Sequence, residues 1–148
     1  MTTTIRTIAL AALVSIASLA PALHAQTLQA RFNVPFSFDC GSSHLAAGPY
    51  TITVEENGIL TLRQASHAIM ALTHMGYVPT QPSTNLATFK RYGDRYFLTE
   101  ISTNDNLHVY VAESGAEKRA TRELARRGEP GTQVAIALLP AGLNRAGR

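Results

Sequence analysis

The 148-residue sequence predicts an all-β domain, mostly antiparallel, built as a sandwich or small barrel of about eight strands with one short C-terminal helix. Three observations predict it. Apolar and polar residues alternate in several short runs, the period of a strand with one buried face. Asn-Gly and Gly-Asp pairs, both turn formers, punctuate those runs. A helical signature occurs once, late in the chain, between a capping signal and a glycine.

The elements follow in order. Segment 28–38, LQARFNVPFSF, puts Phe32, Val34, Phe36 and Phe38 on one face and Arg31, Asn33 and Ser37 on the other. Pro35 donates no ladder hydrogen bond, so an edge or bulge is expected there. Residues 39–49 read as a Gly/Ser loop. In YTITVEENGILTLRQ, 50–64, the apolar pattern selects the turn. A two-residue Asn57-Gly58 loop would pair Val54 with Thr61 and Ile52 with Arg63, mixing the faces. A three-residue loop, Glu56-Asn57-Gly58, pairs Val54 with Leu60, Ile52 with Leu62 and Thr53 with Thr61. A one-residue slip turns every side chain over, so the second register is expected, with Gly58 at positive φ in a G1-type bulge.

Residues 67–78 form another strand, and 79–85 a loop with two prolines. LATFKRY and RYFLTEI then meet at Gly93-Asp94. That loop pairs Arg91 with Tyr96, Lys90 with Phe97 and Phe89 with Leu98, making the charges cross-strand partners of rings on the wetter face. Along 106–113, Leu107, Val109 and Val111 lie opposite His108 and Tyr110. Ser114 and Glu117 form an S-x-x-E capping box, and Gly128 with Pro130 stops the helix, bounding it at 115–127. Its apolar stripe is thin, only Ala116, Ala120 and Leu124, and Glu123–Arg127 is an i,i+4 ion pair. Residues 132–140 read as one last strand and 141–148 as a disordered tail.

Residues 1–25 read as a signal peptide: one cation at Arg6, an apolar run, Pro21, then small residues up to Ala25, with cleavage after Ala22 as the alternative. The apolar run is shorter than the roughly 20 residues a spanning helix needs. The expected product is secreted or periplasmic, of Gram-negative type, with a single β-rich domain over 26–140 and no transmembrane span. Cys40 is the one cysteine, so no internal disulfide exists; a buried thiol is expected, and a disulfide dimer through Cys40 is the minor alternative.

Charge is uneven. Residues 26–117 hold five cations and eight acids, whereas 118–148 hold seven cations against Glu123 and Glu129. A basic end attracts anionic partners. For an exported chain the expected partner is an anionic envelope surface or polysaccharide rather than nucleic acid. The surface expected to meet it comprises Arg91 and Tyr96 on the hairpin and Arg119, Arg122, Arg126 and Arg127 on the helix. Catalytic, metal and cofactor residues are not expected. The histidines show no metal spacing, and His67 and His74, seven apart, point to opposite faces of a continuous strand. GSSH at 41–44 lacks a nucleophile elbow. No convergence of reactive groups is therefore expected.

VPFSF (34–38), LAAGPYTI (45–52), RYGDRYFL (91–98) and RELARR (122–127) together resemble short secreted proteins of acidobacteria. These run signal peptide, VPFxF, LPAGxYxV, RYGDxYFLxxI and a basic ERELA helix, in that order. The chain departs at Cys40 and within LAAG, where the pattern has proline. The resemblance implies export and a compact β domain, and it transfers no catalytic residue. The resulting expectation is a non-catalytic binding or envelope-structural domain. Its alternatives are a carrier of a small apolar ligand in a barrel interior and a small hydrolase using Ser, His or Cys40.

Overall fold

The computed structural model describes residues 28–78, 84–104 and 106–140. The expected signal peptide, residues 79–83 of the proline loop and the tail 141–148 lie outside the described residues. Among the described residues no helix is long and apolar enough to cross a membrane.

The chain runs β1 (Leu28–Val34), β2 (Phe38–Cys40), β3 (Ser43–Leu45), β4 (Gly48–Val54), β5 (Ile59–Gln64), β6 (His67–Tyr77), β7 (Leu86–Tyr92), β8 (Arg95–Ser102), β9 (Leu107–Val111), α1 (Gly115–Arg127), β10 (Thr132–Ala137) and β11 (Leu139–Pro140). It is an all-β fold with one helix, as predicted. Strands pair in the order β10-β7-β8-β9-β6-β5-β4-β1-β11. Two segments turn the corners between a first sheet, centred on β1, β4 and β5, and a second, centred on β7, β8 and β9. In β6, residues up to Leu72 pair with β5, and residues from Thr73 onward pair with β9. On the far side, β10 lies on β7 and β11 on β1, with only Leu138 between them. The two ends of the strand path thus meet through the covalent chain. Leu138 is buried at that corner, and its N–H donates to the Asn85 carbonyl at 2.8 Å.

Eleven strands replace the eight expected because two segments break and an expected loop holds a hairpin. Segment 28–38 stops as a β1 strand at Val34, where Pro35 leaves the ladder, and the chain crosses to the second sheet, pairing Asp39 with Phe97 in parallel. The expected loop 39–49 holds a small hairpin, β2 against β3, which Gly41 turns at φ 58°. The last strand divides at Leu138.

Both hairpin registers are as read from the pattern. Val54 faces Leu60, Ile52 faces Leu62, and Gly58 sits at φ 79°. Arg91 faces Tyr96 and Lys90 faces Phe97. The core lies between the sheets. Ile52, Leu60, Leu62 and Val34 come from one side, and Phe89, Leu98, Ile101 and Val109 from the other. Phe38 closes it, meeting Phe89 and Tyr50 edge-on at 5.2 and 5.3 Å.

Candidate functional site

A bulge decides what the second sheet shows to solvent. Opposite Thr88 and Phe89, the β7–β8 register shifts by one residue at Thr99. Strict alternation from Leu98, which points inward, would send Glu100 into the core and Ile101 out. The extra residue reverses this: Ile101 is fully buried and Glu100 turns outward. Glu100 then lies in one cross-strand row with Thr88, Tyr110 and His74.

Other titratable groups gather on this row. His108 bonds Glu100 through Nδ1 in a close contact. The rings of His74 and His108 stack on Tyr110 at 5.1 and 6.1 Å. Helix α1 runs above, and Lys90, Glu100, Glu113, Glu117 and Gln133 line an outward-opening cleft of about 440 Å³ with His74 and Tyr110. The fold thus brings side by side titratable residues that the sequence pattern left apart. Cross-strand pairing joins residues far apart in sequence, and the bulge turns Glu100 onto their face. Leu98 and Ile101, two apolar residues three apart in one strand, were the sequence signal for it.

The charges in this cleft answer one another. Glu117 is 6 % exposed and was expected only as the capping acid; its N–H donates to Ser114 Oγ at 3.1 Å. Burial, with Glu113 adding to it, pushes its carboxyl above the usual range, while Lys90 and the Ser114 backbone N–H pull the other way. The docked face of α1 is thus Glu117, Ala120, Thr121 and Leu124, rather than an alanine–leucine stripe alone. On β2, buried Asp39 accepts from Arg95 at 2.7 Å and is hydrogen-bonded to His44 at 2.9 Å. The Arg95 guanidinium also covers the Phe97 ring at 5.0 Å. His44 is thus held by an acid, with no serine oxygen among its described partners.

The six residues expected to form an interaction surface divide. Tyr96 is half-buried and stacks on Phe36 at 3.9 Å. Arg91 covers that tyrosine at 5.4 Å and donates to the Gly93 carbonyl at 2.8 Å. Both side chains are thus engaged in contacts within the chain. Arg127 pairs with Glu123 at 2.9 Å, as the i,i+4 spacing predicts. Arg119, Arg122 and Arg126 are exposed, and so is Lys118; none of the four has an ion pair among the described residues. At 100° per residue they share one outward arc of α1.

Two further cations on the first sheet, Arg31 and Arg63, are exposed and have no ion pair among the described residues. The charge count included them without giving them a role. Cys40 is 1 % exposed, and burial pushes its thiol up to about 12, so no sulfur is presented for a disulfide dimer or for nucleophilic attack. Among the described residues no group of three or more His, Cys, Asp or Glu is placed to hold a metal ion. No known protein family, curated protein or solved structure matches the chain.

Proposed function

We propose that the chain is an exported, non-catalytic β domain that binds an anionic component of the cell envelope, polysaccharide or lipid headgroups, through the outward arc of α1. The observation that carries this reading is the unanswered charge of Lys118, Arg119, Arg122 and Arg126. On the second sheet, by contrast, Asp39 spends its charge on Arg95 and His44, and Glu100 on His108. Four cations on one face of a helix make a surface whose attraction is long-ranged and salt-dependent. The leader-like residues 1–25 support export. A carrier of apolar ligands has less support, because the space between the sheets is filled by Phe38, Phe89, Ile52, Leu60, Leu62 and Ile101.

The test is co-sedimentation with an immobilised acidic polysaccharide and with anionic vesicles, at low and high salt. Retention at low salt, lost at high salt, is expected on at least one of the two. The triple reversal Arg119→Glu, Arg122→Glu and Arg126→Glu should abolish it, since each cation contributes roughly 1 kcal/mol at an anionic surface. Retention unchanged in the triple variant would reject the helix as the contact.

A further inference from the structure

The outer face of the first sheet carries a groove of about 450 Å³ with no acidic residue in its lining. One cross-strand row crosses it. Leu139 on β11 faces Arg31 on β1, Arg31 faces Thr51 on β4, and Thr51 faces Arg63 on β5. Directly opposed residues share a face, so both guanidinium groups stand on the same side with Thr51 between them. Two interstrand spacings separate their backbones, about 10 Å.

The chemistry narrows the occupant. Two permanent cations without an acid exclude a cationic ligand and favour oxyanions. A guanidinium offers a planar fork that matches a carboxylate or phosphate edge. Thr51 and Asn33 add a neutral hydroxyl and amide to the lining. The separation of the two arginines suits two anionic groups better than one. Pro49 and Leu139 supply apolar wall, and Leu139 is left 66 % exposed, a surface that suits the C–H face of a sugar ring. A membrane would meet this shape poorly, since the cations line a concavity. We propose that the groove is an acidic-saccharide site in which Arg31 and Arg63 each grip a carboxylate of one uronic-acid segment, across Thr51. It lies on a different sheet from β7, on which α1 packs, and does not rest on the α1 surface.

The test uses the purified protein and a short oligogalacturonate, with a neutral oligogalactose of the same length, inorganic phosphate and phosphatidylglycerol vesicles as the other probes. Binding is followed by calorimetry and by the arginine side-chain N–H resonances. The oligogalacturonate should bind and shift the Arg31 and Arg63 signals, and the neutral sugar should not. Arg31→Gln and Arg63→Gln should each weaken binding about tenfold, the effect of one lost charge-assisted contact. The double variant should bind nothing, with its thermal midpoint unchanged. Arg31→Lys with Arg63→Lys keeps the charge and removes the fork, so intermediate affinity is expected. The α1 triple reversal should leave this binding intact, which separates failure of the groove from failure of the helix surface. No binding of the oligogalacturonate overturns the proposal, as does undiminished binding in the double Gln variant. Phosphate or vesicles engaging the two arginines as tightly as the oligosaccharide overturns the saccharide assignment.

Discussion

The outer faces of the two sheets are built from similar residues and differ in who answers the charge. On the second sheet, Asp39 meets Arg95 and His44, Glu100 meets His108, and Glu117 lies on the buried face of α1 with Lys90 nearby. On the first, Arg31 and Arg63 flank Thr51 with no acid in the groove they line. The covered face uses polar groups to hold the helix, the β2–β3 hairpin and the bulged strand in place. The open face leaves its cations to solvent or to a ligand. Charge in a sequence therefore says little about binding until pairing is known, and here pairing follows from register.

The contrast breaks most completely at the bulge. Ile101→Asp places a carboxylate at the position that the bulge turns into the core, where strict alternation would have left it in solvent. A carboxylate in that core has no partner, and a loss of at least about 4 kcal/mol is expected. Urea denaturation should show the variant largely unfolded; a cooperative transition near the parent midpoint would refute this account of the bulge. A smaller effect separates answered from unanswered arginines. Arg95→Ala leaves the buried Asp39 carboxylate without its 2.7 Å partner and should cost about 1–3 kcal/mol. Arg31→Ala and Arg63→Ala should each stay within about 0.5 kcal/mol. Equal losses at all three positions would erase the distinction between the faces.

The hairpins were readable because each depends only on neighbours in sequence. At Gly58, apolar pairing chose between two registers, and the glycine supplied the positive φ the bulge needs. The helix was readable for the same reason, from Ser114 at its start to Gly128 at its end. What the pattern missed was set at a distance. Pro35 signalled a break but not the crossing that carries Phe38 and Asp39 to the other sheet. Arg31 and Arg63 are 32 positions apart, and only the β1–β4–β5 ladder puts them in one row. The gathering of Glu100, Tyr110 and His74 needed the bulge as well as the ladder.

The subtlest difference between the faces is a proton. Glu117 is the one glutamate of α1 that is buried, and its folded-state carboxyl is raised above the ordinary glutamate value, by burial first and by Glu113 second. Groups facing it are Glu113 before the helix and Lys90 from β7, with Glu100 and His74 further along the same cleft. A raised carboxyl means that the folded chain holds the proton where the unfolded chain has released it. Stability from this group is then greatest below the ordinary glutamate value and falls as pH rises to the raised value, after which the loss is constant. Glu117→Gln keeps the shape and cannot ionise. It should match the parent in acid and exceed it at neutral pH, flattening the pH dependence across that window, at the cost of a weaker Ser114 cap. The same substitution leaves the first sheet untouched, so oligogalacturonate binding should not move. Urea midpoints taken as a function of pH test this directly, and parallel curves for parent and variant would show that the burial of Glu117 carries no proton linkage.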